Sequence, residues 1–247
     1  MSWMSQLSRT YDFINAEEHF SVKPWPVSHF LKAAHLEVVI DFKGCFKKGR
    51  TTLLEGDFSP TLIPTTESSS GRAGAKIAPH PLCEELSYCA GDLPRLNEAK
   101  YTAFLVQLKA WVESEYGHPK ISAIYTYLCK RNLWKDISNE VVFPIKYKSK
   151  SGQSATVTPD KTFIRWRVEE KGNQQSGTWD DNALISCWQK YDANCNLGTD
   201  LCLVSGSYSR AISNHPRFLR NAGDGAKLIS SNDSSGYTFR GRFTESE

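Results

Sequence analysis

Leu36-Glu-Val-Val-Ile-Asp-Phe42 decides the fold, because its β-branched residues favour a strand and the Lys43-Gly44 that follows favours a turn. The segment 162–168 has a two-residue period, which predicts Ile164, Trp166 and Val168 on one face of a strand. Its other face would carry Arg165 and Arg167 and is expected to be cationic. We expect 162–168 to pair as a hairpin with a strand at 141–147. Further strands are predicted at 201–204, 227–230 and 237–243.

A helical period begins near residue 97, where apolar residues recur at spacings of three and four. Helices are predicted near 98–116 and 119–133, and the aromatic residues of the first are expected to pack in the core. A shorter helix is predicted at 179–191, with Thr178 as its N-cap and Asp180 and Asp181 in its first turn. The expected fold class is α+β, with a mixed or antiparallel sheet, a helical hairpin and a further short helix packed against it.

The balance of basic and acidic residues over the whole chain does not predict a general attraction to polyanions. The 247 residues include 30 Lys+Arg and 27 Asp+Glu, a formal net charge of +3, so such affinity must come from local clusters. No apolar run approaches the roughly 18 residues of a membrane span, and the first residues do not resemble a signal peptide. We therefore expect no contact with a membrane and a cytoplasmic location.

The common catalytic motifs are missing, including the phosphate-binding loop, the dinucleotide fingerprint, the zincin helix and the nucleophile elbow. We expect no enzymatic activity, cofactor or metal. One catalytic alternative joins His80 or His215 with Asp92 or Asp224, although their spacing does not favour these pairs over others. The seven cysteines include no close pair and are expected to be packed thiols. A zinc site of Cys187, Cys195, Cys202 and His215 is the alternative to that interpretation.

Two segments combine cations with irregular, glycine-rich sequence, as contacts to phosphates and base edges require. The first lies in a stretch with four prolines, 59–81, which predicts a long loop without a helix or central strand. Its candidate DNA contacts are Arg72 and Lys76. The second lies between residues 209 and 242, where six basic residues against two acidic ones make a local charge of +4. Its candidate contacts are Arg210, Asn214, Arg217, Arg220, Lys227, Ser230, Ser231, Asn232, Arg240 and Arg242. For each segment the alternative is a solvated loop.

Several pieces of sequence around these segments resemble one known family, the large subunit of the type I-C CRISPR surveillance complex, Cascade. They occur in the family's order along nearly the whole chain. The pieces are Thr61-Leu-Ile-Pro-Thr-Thr-Glu67, Arg72-x-Gly-Ala-Lys76, Pro79-His-Pro-Leu82, Leu201-Cys-Leu-Val-Ser-Gly206, Asn214-His-Pro216, Leu228-Ile-Ser-Ser-Asn232 and Gly236-Tyr-Thr-Phe-Arg-Gly-Arg-Phe243.

The resemblance implies a non-catalytic subunit that recognises the protospacer-adjacent motif (PAM) of double-stranded target DNA and helps to start R-loop formation in antiviral defence. The implied partners are the crRNA-containing backbone subunits of Cascade and a helicase-nuclease recruited later. Family members are longer, so we expect 1–247 to be the N-terminal DNA-recognition domain, without the C-terminal helical part that acts as a small subunit. Its possible sub-regions are a β-rich 1–95 with the long loop and an α+β 96–247.

Two other functions stay open at this point. One is a metal-dependent nuclease or crRNA-processing subunit, and the other is a structural subunit that binds crRNA or neighbouring proteins. Within the DNA-binding hypothesis, Arg240 and Arg242 share one strand face and are expected to contact phosphates. Asn232 with Ser230 and Ser231, and Arg72 with Lys76, are the candidates for reading bases.

Overall fold

The computed structural model describes residues 3–17, 19–20, 24–72, 74–148, 154–170, 176–195, 199–202 and 206–210. The predicted α+β class is confirmed. The helices are α1 (Trp3–Ala16), α2 (Glu67–Ser70), α3 (Leu86–Cys89), α4 (Glu98–Val112), α5 (Pro119–Leu128), α6 (Leu133–Ser138) and α7 (Asn182–Asn194). The strands are β1 (His29–Ala33), β2 (Leu36–Asp41), β3 (Thr52–Leu53), β4 (Pro60–Pro64), β5 (Ile145–Lys148), β6 (Ser154–Val157), β7 (Ile164–Glu169), β8 (Thr199–Leu201) and β9 (Tyr208–Arg210).

The central sheet has the order β3-β2-β7. β2 runs parallel to β7, with Leu36 opposite Ile164, and antiparallel to β3. The other three described pairs, β1 with β4, β5 with β6 and β8 with β9, are antiparallel. The predicted hairpin between 141–147 and 162–168 is therefore wrong. β5 pairs with the nearby β6, while β7 pairs with β2: Ile164, Trp166 and Val168 are buried with Leu36, Val38 and Ile40, and Arg165 and Arg167 of β7 meet Glu37 of β2.

The core lies between the central sheet and the helices. Val38 and Ile40 of β2 and Trp166 of β7 are fully buried, and α5 packs against both strands. The predicted core role of the α4 aromatics is confirmed, because Tyr101, Phe104 and Trp111 are buried. At this burial each large side chain contributes roughly 1.5–3 kcal/mol to folding.

The helix boundaries correct several predictions. α4 ends at Val112, before the predicted 116, and the predicted helix 119–133 ends at Leu128. Arg131 has a positive φ of 52°, which a continuous α-helix does not allow, and α6 follows as a separate helix. The N-cap of α7 is Asp181, whose carboxylate accepts from two backbone N–H groups at 3.0 and 3.1 Å. Thr178 is not the cap, because its hydroxyl donates to the carbonyl of Trp166 in β7.

The sequence predicts a continuous loop over the proline-rich stretch 59–81. This prediction is wrong, because the stretch contains β4 and α2. Proline is tolerated at Pro60 and Pro64 because β4 pairs with β1 alone among the described strands, so its other edge forms no ladder hydrogen bonds with them. Thr66 and Ser69 form a reciprocal capping box that starts α2. The irregular part of the stretch begins at Gly71, and the segment 71–77 is called the glycine loop below.

The predicted strand at 141–147 starts only at Ile145, after a cis peptide bond between Phe143 and Pro144. β8 covers 199–201 and so meets the predicted strand at 201–204 only at Leu201; residues 203–204 lie outside the described residues. The predicted strands at 227–230 and 237–243 lie outside the described residues. In the part of the chain that the structure describes, no helix has the length and apolar character needed to cross a membrane.

Candidate nucleic-acid interface

Glu84 is a fully buried carboxylate beneath the glycine loop. Arg72 donates to its two oxygens, at 2.6 and 3.1 Å, and the backbone N–H groups of His80 and Glu85 donate to the same carboxylate. Burial opposes the ionised form, but the Arg72 guanidinium and the amide donors hold the pKa of Glu84 below its usual range. The carboxylate is therefore charged and satisfied inside the protein.

Arg72 fixes one end of the glycine loop to the domain. Beyond its two bonds to Glu84 it donates to the carbonyl of Ala78 at 3.2 Å, and its guanidinium lies over the ring of Tyr88. Only 15% of the side chain is exposed. The loop between these anchor points turns at Gly74, whose φ is +61°, and presents Lys76 to solvent. Of the two predicted contacts in this loop, Lys76 is freely accessible and Arg72 is engaged in the protein.

Two further cations lie beside this loop and were missed by the sequence analysis. Lys32 in β1 places its Nζ 4.6 Å from the ring centroid of Phe163, and burial lowers its pKa. Lys100 in α4 lies 4.8 Å from the ring centroid of Tyr88, on which Arg72 also packs. These lysines come from different elements and share no motif, so no sequence signal could have grouped them.

His80 is buried and cannot act as an accessible base. Its ring lies edge-on to Phe30 and Phe163, and burial lowers its pKa to about 3. The carboxylate of Asp92, its predicted partner, instead accepts from the backbone N–H groups of Trp134 and Lys135. The structure thus does not join His80 to Asp92. In the described ranges, no cluster of three His, Cys, Asp or Glu could hold a metal ion.

The predicted cationic face of β7 is corrected by the pairing of β7 with β2. Glu37 lies between Arg165 and Arg167 and accepts from both at 2.6–2.9 Å. The Trp179 ring covers both guanidinium groups, with the Arg165 carbon 3.7 Å from the ring centroid. Because Arg165 is buried and Arg167 is only partly exposed, this face is an internal network in which one carboxylate balances one of two guanidinium charges, and it is not an open basic surface.

For the cysteines, the structure gives the burial of each thiol separately. Cys83 and Cys89 are buried, and burial raises the pKa of Cys83 to about 12, as expected for packed thiols. Cys45 and Cys129 are exposed, so the prediction of packed thiols is wrong for these two. Cys187, Cys195 and Cys202 are half-buried thiols. The fourth member of the hypothetical zinc set, His215, lies outside the described residues.

Most of the second predicted segment also lies outside the described residues. Arg210 is in β9, and the structure describes its backbone only. The remaining candidates, whose positions stay predictions, are Asn214, Arg217, Arg220, Lys227, Ser230, Ser231, Asn232, Arg240 and Arg242.

Comparison with known proteins places the chain in a class. The family model described as CRISPR-associated protein (Cas_Csd1) matches residues 7–247. Because this match covers nearly the whole sequence, the chain belongs to the Cas_Csd1 family of CRISPR-associated proteins. The resemblance noted from the sequence is thereby confirmed at the level of the family. No curated protein matches the chain.

Proposed function

We propose that this chain is a non-catalytic, DNA-binding subunit of a type I-C Cascade complex. In this role it recognises the PAM of double-stranded target DNA and helps to start R-loop formation. Its partners are the crRNA-containing backbone subunits, and a helicase-nuclease joins later. Membership of a CRISPR-associated family supports a role inside such a complex.

The observation that carries the proposal is the glycine loop on its buried anchor. A protein that reads a groove needs small residues for close approach and a cation or amide held at a fixed place. The Arg72–Glu84 pair holds the base of the loop, while Gly74 and Lys76 are exposed at its surface. In this proposal Lys76 contacts the DNA, and Arg72 positions the loop from below.

Lys32 and Lys100 strengthen the electrostatic side of the proposal. Both lie next to aromatic rings at the base of the glycine loop, where they add positive potential beside Lys76. Local positive potential of this kind raises the encounter rate with duplex DNA before any base is read.

The test compares duplexes that differ only at the PAM. Binding is measured for the chain alone and for the assembled complex, with the wild type and with Lys76→Ala. Loss of a base contact should cost roughly 1–3 kcal/mol on the correct PAM and little on a wrong one. Lys109→Ala, an exposed lysine on α4, is the matched control. Equal binding of both duplexes by the wild-type complex would contradict PAM recognition by this assembly.

One observation favours a structural subunit as the second candidate. Three arginines of the described residues, Arg72, Arg165 and Arg167, point inward to Glu84 and Glu37 instead of to a ligand. A purely structural subunit would bind neighbouring proteins or crRNA and would leave the affinity of the complex for DNA unchanged when Lys76 is replaced. The same Lys76→Ala measurement therefore separates the two candidates.

A further inference from the structure

A second basic surface lies at the opposite end of the central sheet from the glycine loop. Residues 43–50, Lys43-Gly-Cys-Phe-Lys-Lys-Gly-Arg50, follow β2 and are called the basic loop; they contain four cations and no acid. The glycine loop is anchored where β7 begins, since the Ile164 N–H donates to the carbonyl of Glu84. Strands of six residues separate the two ends by about 20 Å.

The start of the basic loop is a fixed turn. The Asp41 carboxylate accepts from the backbone N–H groups of Lys43 and Cys45, at 3.0 and 2.9 Å. Gly44 has a φ of +67°, and a Cβ at this position would lie 2.7 Å from the carbonyl oxygen of Ala123 in α5. The Lys130 Nζ also donates to the Gly44 carbonyl, at 2.5 Å. The turn is thus pressed against α5 and held there.

The middle and end of the basic loop are held as well. The ring of Phe46 stacks on Tyr127, with 6.3 Å between centroids, so it turns inward. Glu140 accepts from the backbone N–H groups of Gly49 and Thr51, at 2.5 and 3.2 Å. The loop therefore presents its lysines from an ordered backbone, which reduces the entropy lost when a ligand binds.

The charges of the basic loop are only partly neutralised. Lys47 pairs with Asp41 at 3.1 Å and Arg50 pairs with Glu169 at 2.6 Å. Lys43 and Lys48 are exposed, and neither has a carboxylate within 4 Å of its Nζ in the described part of the chain. Two exposed ammonium groups without a direct ion pair thus remain on one fixed turn, although the charge of Lys48 also contributes to lowering the pKa of Glu140.

The chemistry of the basic loop selects the kind of partner. A protein partner needs an apolar or aromatic patch that can be buried, and the only aromatic residue of the loop packs on Tyr127. Exposed lysines on a fixed backbone suit phosphate oxygens, which they contact without reading sequence.

We propose that the basic loop binds the phosphodiester backbone of nucleic acid, as a second contact surface separate from the glycine loop. The expected ligand is the duplex flanking the site read by the glycine loop, and in this respect the inference rests on the proposed function. The contact is sequence-independent and anchors the duplex at a second place on the domain.

The test measures binding of the full 247-residue chain to a short duplex and to a single-stranded RNA, over a range of salt concentrations. The variant is Lys43→Ala/Lys48→Ala. The matched control is Lys109→Ala/Lys190→Ala, which removes the same charge from the exposed faces of α4 and α7. The variant should bind every duplex about tenfold more weakly in 0.1 M salt, and its log-log salt slope should flatten by about 0.9 for each lost contact.

Each outcome separates this inference from the proposed function. If the wild type binds duplex and the variant binds it equally well, the inference is overturned while the proposed function stands. If the wild type binds only RNA and the variant is weaker, the phosphodiester contact stands and the proposed DNA function does not. If the wild-type chain binds neither nucleic acid, the inference fails, while the proposed function is decided by the binding of the assembled complex to duplexes that differ at the PAM. Unchanged thermal unfolding of the variant shows that the loss is not a folding defect.

Discussion

Arg72 and Glu84 form a two-point ion pair, with Nη1 2.6 Å from one carboxylate oxygen and Nη2 3.1 Å from the other. The carboxylate is fully buried, while the guanidinium lies at the base of the glycine loop. This pair, together with the Arg72 bond to the Ala78 carbonyl, ties an exposed, glycine-rich segment to the core. Because the parallel fork of Arg matches a carboxylate, the pair fixes direction as well as distance.

Glu84→Gln should destabilise the domain by about 2–3 kcal/mol. The substitution keeps the side-chain volume but leaves Arg72 without its counter-charge, and breaking a fully buried pair costs about 3–5 kcal/mol. Because Arg72 is partly exposed to solvent, we expect the loss of stability to be smaller than this. Unfolding in urea measures the change. Glu98→Gln, which breaks the exposed pair of Glu98 with Arg131, is the control and should cost about 1 kcal/mol or less. Equal effects would contradict an anchoring role for Glu84.

The domain should lose stability as the pH falls from 6.5 toward 3. Burial lowers the pKa of His80 to about 3 and that of His29 to about 4, from an ordinary value of 6.5. Within this window the unfolded chain binds protons that the folded chain does not, so the free energy of unfolding decreases with decreasing pH. Each histidine contributes a slope of at most about 1.4 kcal/mol per pH unit.

His80→Gln removes one titrating group and should flatten this slope by the contribution of one proton. Urea unfolding at a series of pH values measures it. His19→Gln, at a side chain that is 81% exposed, is the control for the loss of an imidazole from the surface. An unchanged slope for His80→Gln would mean that His80 binds a proton equally well in the folded and unfolded chains.

Arg240→Ala/Arg242→Ala should weaken binding to all duplex sequences about equally. The two-residue period of the sequence predicts both arginines on one face of a strand, where they would follow one line of phosphates. Each lost phosphate contact should reduce the log-log salt slope by about 0.9. An unaltered salt dependence would instead indicate that the two residues pair with acidic groups or with another subunit.

Asn232→Ala in the assembled complex should cost roughly 1–3 kcal/mol of binding free energy on a target with a correct PAM and little on a wrong one. The amide of asparagine can donate and accept at one base edge at the same time, whereas a lysine ammonium can only donate. Lys76→Ala, in the glycine loop, is measured beside it, because the structure engages Arg72 with Glu84. If both variants weaken the two targets by the same factor, these loops contact phosphate and the PAM is read elsewhere.

The purified chain should cleave neither duplex DNA, single-stranded DNA nor crRNA repeat in the presence of Mg²⁺ or Mn²⁺. The expectation rests on the lack of a common catalytic motif in the sequence, and on the burial that lowers the pKa of His80 to about 3. Labelled substrates provide the assay. Specific cleavage that copurifies with the chain, and that is lost in His80→Ala or His215→Ala, would contradict it.

The sequence by itself determined the helices and strands that have a clear hydrophobic period over a short segment. The β-branched run of β2 and the helical spacing of Tyr101, Phe104 and Trp111 predicted a strand and a buried helix face correctly, because periodic burial follows from backbone geometry alone. The order of short motifs along the chain also identified the family, since such a pattern needs no structure to be read.

Only the tertiary structure decided which residues meet. The parallel pairing of β2 with β7 brings Glu37 between Arg165 and Arg167 and turns a predicted cationic face into a buried network. The burial of Glu84 likewise converts Arg72 from an expected DNA contact into an anchor. Strand pairing and the burial of charge depend on contacts between residues far apart in sequence, and their energies arise only when distant segments exclude water from one another.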